Sequence, residues 1–272
     1  MKNILLIGTS MQDYIFMAEE IHPNHCNKGT FTSNFGGSMH NVSYNLGCLG
    51  CNPIFITKIG NDTKAVELQD ELSLLGVELH TILVDKPTPI FQSIHADNMQ
   101  YFLSSITPDF LFNEQDSIDY SLFKDSFAIT DQMNEKFLYD LFHNTSSTRW
   151  IISGFIPSVE LLRYIEGIVV NVDEFEEEKM DFSTGLQWVI VTEDKNGATL
   201  YTRDGKVPIK TNIIETNNDI GAGDAFLAGL LYGLVRNLTL IDSIQLAHRA
   251  AQIILQTPTA ISKELQKLKS EN

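Results

Sequence analysis

Two hydrophobic periods alternate along the chain, and that alternation limits the possible folds more than any other feature. Short β-rich runs recur at "NILLIG" (3–8), "PIFITKIG" (53–60), "SFAIT" (126–130), "RWIIS" (149–153), "GIVVN" (167–171) and "QWVIVT" (187–192). Between most of them lie helical patterns, "HNVSYNLGCLG" (40–50), "TKAVELQDELSLLG" (63–76), "MNEKFLYDLFHN" (133–144) and "SVELLRYIEG" (158–167). Strands separated by helices of this length form βαβ units with right-handed crossovers. The runs are almost continuously apolar, as burial on both faces requires. The expected fold is a three-layer α/β core around a mostly parallel sheet.

Two segments break this rhythm. "DYIFMAEEI…NKGTFTS" (13–33) and "TPIFQSIHADNMQYFLSS" (88–105) alternate in character and carry turn signals, with "HADN" suited to a hairpin. Each follows a core strand, so they are expected to form a small β lid, about 13–34 and 86–105, inserted twice into one domain spanning 1–272. A lid over the carboxyl edge of the strands lies where α/β sheets bind ligands. The C-terminal "SKELQKLKSEN" reads as a charged, solvated helix end.

The formal net charge of −16 argues against a nucleic-acid partner, whose phosphates this field repels. A phosphate-bearing ligand must therefore be held by backbone amides, a helix N-terminus or a metal ion. No stretch approaches the roughly 20 apolar residues of a membrane span. The opening "MKNILLIG" is too short for a secretory leader and reads as a first buried strand, so the expected location is cytoplasmic. Cys26, Cys48 and Cys51 lack a second Cys or His pair at zinc-like spacing and are expected to be reduced thiols.

The chemistry concentrates in two glycine turns. In "IGAGDAFLAGLLYGL" (220–234), Gly221 and Gly223 let a ligand approach the main chain, and a helix expected over about 224–236 aims its first amides at that loop. Asp224 is a poor anion ligand there. Beside a phosphate cradle it can instead take the proton of an attacking hydroxyl, or serve merely as a helix cap. In "FGGSMHNVSYNLGCLG" (35–50), Asn41 follows the glycine pair and offers a donor and an acceptor to a polyhydroxy ligand, or simply belongs to an ordinary helix start.

These two stretches, in this order, resemble the paired signatures of the ribokinase-like (PfkB) carbohydrate and nucleoside kinases. "NVDEFE" is similar to that family's N-x-x-E motif, and "IGNDTKAVELQDELSLLGVE" (59–78) to its Gly-x-Asp segment. The resemblance implies a Rossmann-like core with a β lid, and ATP-dependent phosphorylation of a hydroxyl on a small sugar or nucleoside. It implies Asp224 as general base and the amides of Gly221, Ala222 and Gly223 as anion hole. It implies Asn171 and Glu174 as organisers of Mg²⁺ through water. Asp13, Gly37, Asn41 and His40 become substrate contacts, and Thr192, Gly197 and Asn218 nucleotide contacts.

Several residues depart from the pattern. Asp194 stands where the nucleotide loop expects glycine, and a carboxylate there repels ATP phosphates unless it turns away. Asn218, Asp219 and Ile220 replace the usual Asp-Thr-x. Ser153 and Gly154 occupy the place of a mid-sheet aspartate, and Met11 that of an asparagine. "VPIKTNII" and "GGSMHN" look more like pseudouridine kinases than ribokinase or adenosine kinase, although those kinases usually carry Arg where His40 stands; ribose and fructose are other candidate acceptors. The aromatics Phe31, Phe35, Phe91 and Tyr101 suit either base stacking or lid packing. A non-catalytic ligand-binding descendant is the competing reading. A dinucleotide enzyme or P-loop enzyme is not, since neither glycine motif is present. Exposed lid edges permit pairing of two subunits.

Overall fold

The computed structural model describes residues 3–96, 99–214, 219–257 and 259–270. Its elements, in chain order, are β1 (Ile4–Thr9), β2 (Met11–Met17), β3 (Thr30–Gly36), α1 (Ser38–Cys48), β4 (Ile54–Gly60), α2 (Thr63–Ser73) and β5 (Glu78–Val84). There follow β6 (Ile90–Ala96), β7 (Met99–Ser104), β8 (Phe127–Thr130), α3 (Glu135–Asn144), β9 (Arg149–Ser153), α4 (Val159–Leu162) and β10 (Ile165–Asn171). The last are β11 (Trp188–Thr192), β12 (Ala198–Thr202), β13 (Gly205–Ile209), α5 (Ala222–Val235) and α6 (Leu240–Ile254).

One nine-stranded sheet runs β13-β12-β11-β10-β9-β8-β1-β4-β5. Its pairs are parallel from β11 through β5, while β12 and β13 add an antiparallel hairpin at one edge. Alternate residues of β1 feed two cores. Ile4 and Leu6 face α1, α2, α5 and α6, whereas Leu5 and Ile7 face α3 and α4. All four are at most 1% exposed, so this strand lies at the centre of a three-layer sandwich. Burying such a side chain contributes about 1.5–3 kcal/mol.

The second sheet has four strands in the order β3-β2-β6-β7. β2 and β3 pair antiparallel from Met11↔Gly36 to Met17↔Thr30, as do β6 and β7 from Phe91↔Ser104 to Ala96↔Met99. The expected hairpin turn includes Asp97 and Asn98, which lie outside the described residues. A parallel β2–β6 pairing joins the two insertions into one sheet. The β2–β3 insertion is attached to the core by short links: only Ser10 separates β1 from β2, and only Gly37 separates β3 from α1. Asp62 caps α2 through the Lys64 amide at 3.0 Å and also accepts from the Thr88 amide at 2.7 Å. The Gly-x-Asp segment thus ties α2 to the strand entering β6.

Three expectations need correction, and the lid aromatics divide between two faces. The helical pattern at 158–167 shrinks to the single turn of α4, because β10 already begins at Ile165. There Gly167 lies under the Trp188 indole, where a Cβ would fall 2.1 Å from Cζ2. The C-terminal segment is a 3-10 helix, Lys263–Ser270, that buries Leu265 and Leu268 in the α1/α6 core rather than lying free in solvent. The helix expected from about 224 starts at Ala222, because left-handed Gly221 (φ 78°) already turns the chain. Phe31 and Tyr101 lie on the opposite face of the small sheet from Phe91, since Phe31 pairs with Phe16 and Tyr101 with Ile94, each one residue out of phase with Phe91 and its partner Asp13.

Candidate active site

The carboxyl ends of β1, β8, β9, β10 and β11 converge on one edge of the large sheet, and the glycine turns preceding α1 and α5 meet there. Both helices begin with a positive-φ glycine and no side-chain cap. Gly37 (φ 97°) abuts the Thr9 carbonyl, where a Cβ would lie 2.3 Å from the oxygen. Gly221 abuts Ala260, where a Cβ would fall 2.4 Å from its Cα. Only glycine fits either place. A Cβ on Gly223, by contrast, would meet nothing within 4 Å, so this exposed turn borders open space.

Asp224 lies in the first turn of α5, half-buried. Ser38 Oγ donates to its Oδ1 at 2.6 Å, and Asn41 Nδ2 donates to its Oδ2 at 2.7 Å. Each oxygen keeps a lone pair for another donor. Burial pushes this carboxyl up to about 6; the two donors pull it down, Asp131 repels it upward, and His40 opposes that. A base of this strength is mostly ionised at neutral pH and still able to accept a proton.

Asp13 stands on β2 against Gly36, where a Cβ would lie 1.8 Å from Oδ2. Its Oδ1 is buried without a hydrogen-bond partner among the described residues. Burial pushes this carboxyl up to about 7, with His40 lowering it and Asp224 raising it. Cross-strand pairing puts Asp13 on the same face of the small sheet as Asn34, Phe91, Ser93, His95, Gln100 and Phe102. Phe91 and Phe102 stack there at 5.8 Å between centroids.

The other expected residues fall into two groups. Asn41 is buried and touches Asp224 directly. His40 is fully buried, with Nδ1 3.3 Å from Asn41 Oδ1 and Nε2 3.7 Å from Glu71 Oε2, so both ring nitrogens face protein groups. The Ala222 amide already donates to Asp219 O at 3.1 Å. Asn171 and Thr192 are register partners at the ends of β10 and β11, along the edge from Asp224. Asn171 Oδ1 accepts from the Asp173 and Glu174 amides at 2.8 and 2.9 Å, and the Asn171 amide donates to Glu174 Oε2 at 3.0 Å. Gly197 is buried, where a Cβ would lie 2.3 Å from Ile209 O. Asp194 takes the left-handed conformation (φ 48°) that a glycine would suit, and its side chain is exposed. Asn218 lies outside the described residues.

Two residues were not foreseen. Ser38 lies inside the quoted glycine signature, and its position opening α1 was the available signal. Asp131 follows β8 directly; burial pushes its carboxyl up, while Gln132 Nε2 donates to its Oδ1 at 2.9 Å. It stands at the end of β8, the strand beside β9, whose own end carries Ser153 and Gly154 in place of an aspartate.

The model of the pfkB family of carbohydrate kinases matches residues 1–104 and 161–267. The chain belongs to that family. It is accordingly a phosphotransferase acting on an alcohol group of a sugar or nucleoside, with ATP as co-substrate. The chain is 24% identical to the ATP-dependent 6-phosphofructokinase of Thermoanaerobacterium thermosaccharolyticum, over 85% of this chain and 82% of that one. It is 23% identical to the guanosine-inosine kinase of Exiguobacterium acetylicum, over 90% and 91%. The solved ribokinase of Thermotoga maritima superposes over all of both chains with a TM-score of 0.81 at 19% identity. This pfkB member thus has the ribokinase-like α/β fold, with the second small sheet in place. Among the described residues, no helix is long and apolar enough to cross a membrane.

Proposed function

We propose that this kinase phosphorylates an uncharged nucleoside, of which pseudouridine is the favoured example, with Asp224 as general base. The observation that carries the reading is the Asp224 carboxylate at a helix start, held on both oxygens by α1 and raised to about 6. The acceptor hydroxyl gives its proton to Asp224 as its oxygen attacks the γ-phosphorus and the bond to the departing ADP breaks. The free amides of the α5 turn and the helix dipole stabilise the charge on the transferring group. The Ala222 amide would join them only on leaving Asp219.

Charge favours a neutral acceptor. The face carrying Asp13 holds no Lys or Arg, and three carboxyls, Asp13, Asp131 and Asp224, surround the place where an acceptor would lie. A sugar phosphate finds no counter-charge there. The stacked Phe91 and Phe102 offer a flat apolar surface to a base, and the orphan Asp13 Oδ1 suits a ribosyl hydroxyl.

Asn171 and Glu174 fit a water-mediated Mg²⁺ site. Their mutual hydrogen bonds fix the turn and leave Glu174 Oε1 to order water, which suits a cation that sheds its hydration reluctantly. When bound, Mg²⁺ would neutralise the nucleotide phosphates in this acidic protein. Thr192 and Gly197 would shape the nucleotide loop, with Asp194 turned to solvent. The small sheet would close over the acceptor and exclude water. Its edge strand β7, exposed along its whole length, is where a second copy would pair.

A coupled ADP-release screen tests the acceptor. Pseudouridine, uridine and adenosine should outperform ribose, fructose and fructose 6-phosphate by at least about tenfold in kcat/KM. The Asp224→Asn protein serves as blank. Preference for fructose 6-phosphate would refute the neutral-acceptor reading.

A further inference from the structure

We infer that His40 is a positioning residue that fixes the orientation of the Asn41 amide and thereby aims the catalytic base. The inference rests on the reading of Asp224 as that base. An asparagine amide has two nearly isosteric orientations, and only one serves here. With Nδ2 toward Asp224, Asn41 donates to the carboxylate at 2.7 Å. Turned over, its carbonyl oxygen would face the carboxylate and repel it.

What selects the productive orientation lies on the far side of the amide. His40 Nδ1 stands 3.3 Å from Asn41 Oδ1, and a hydrogen on Nδ1 can donate only if that atom is oxygen. The ring is wholly buried between Phe35 and Tyr44, with centroids 6.1 and 6.4 Å away. Its other nitrogen faces Glu71 Oε2 at 3.7 Å, and neither of these two atoms has a hydrogen-bond partner among the described residues. Hydrogen on Nδ1 is what the Asn41 oxygen calls for. The result is a chain from His40 through Asn41 on α1 to Asp224 on α5, with Glu71 of α2 standing behind the ring. His40 acts through Asn41 and touches no substrate.

His40→Leu removes the donor at similar volume, and His40→Asn restores a donor near the Nδ1 position. If the inference holds, His40→Leu lowers kcat about 10- to 100-fold while the acceptor KM stays within about threefold. His40→Asn should recover most of that loss. In an Asn41→Ala background, His40→Leu should cost little more, because the orientation it protects no longer exists. Equal losses in both backgrounds, or a change confined to KM, would overturn the inference. A measurement on the unaltered protein covers the case in which the variants do not fold: the ¹⁵N–¹H spectrum of the ring should show hydrogen on Nδ1, and a bare Nδ1 would sink the idea. Failure of the base assignment shows separately, as near-normal turnover by Asp224→Asn.

Discussion

Asp13 on the small sheet and Asp224 at the start of α5 are both partly buried aspartates, and burial raises both carboxyls. They differ in their partners. Asp224 has a donor on each oxygen, both from α1, so its charged form is supported and its direction fixed. Asp13 keeps one oxygen buried and unpaired. A buried polar atom without a partner costs about 1–3 kcal/mol, a cost a protein tolerates where a ligand relieves it. Proton transfer calls for a group already in place; recognition calls for one left unsatisfied until the ligand arrives.

The largest effect should fall on the aimed carboxylate. Asp224→Asn should lower kcat by about 10³-fold or more, while calorimetric affinities for acceptor and nucleotide stay within about threefold. Turnover within tenfold of normal would erase the contrast, since Asp224 would then be no more catalytic than its neighbour.

Asp13→Asn should show the complementary pattern. The acceptor KM should rise about 10- to 100-fold, the value of a hydrogen bond to a charged group, with the ATP KM unchanged. The same variant should be more stable than the wild type at pH 7.5. The folded Asp13 carboxyl titrates near 7 and the unfolded one near 3.8, so between those values the native state holds more protons. Stability from this group therefore falls as pH rises from about 4 to about 7. Thermal unfolding should show a gain on the order of 2 kcal/mol for Asp13→Asn at pH 7.5, fading by pH 4. A penalty at pH 7.5 would mean that Asp13 already has a partner.

The smallest effect concerns tuning. The acid limb of log kcat/KM should break near pH 6, because the base must be ionised. Asp131→Asn should move that break to lower pH by removing a repelling charge. A shift to higher pH would show that Asp131 does not act on the base through its charge.

The α/β core was legible because parallel strands buried on both faces leave long apolar runs, such as "ILLIG" and "IFITKIG", whose split between two cores follows from alternation alone. The glycines were legible for a related reason: Gly37 and Gly221 fill places closed to any Cβ. Less accessible were elements whose pattern is ambiguous. "SVELLRYIEG" carries helical spacing, yet its second half is drawn into β10 by the pairing of Gly167 with Trp188. The antiparallel hairpin β12–β13 is partly exposed and mixed in composition, so its run is weak. At the site, Asp224 and Asn41 could be picked from motifs. Ser38 and Asp131 depend on which strand ends and helix starts come together, which spacing does not encode. The burial of His40 was equally hidden, since Glu71, which faces its ring, comes from another helix.

Ser10 and Gly37 have a mechanical consequence. One residue leads from the core into the small sheet and one leads back, and they sit side by side, Gly37 pressed on the carbonyl of Thr9 and Ser10 held to Thr57 Oγ1 at 2.9 Å. This joint is far shorter than the links that carry β6 and β7, which run through residues 85–89 and from 105 onward. A swing of the sheet pulls directly on the first turn of α1, the turn that supplies Ser38 and Asn41 to Asp224. If Asp224 is the base proposed above, arrival of the acceptor and alignment of the group that deprotonates it would be geared together.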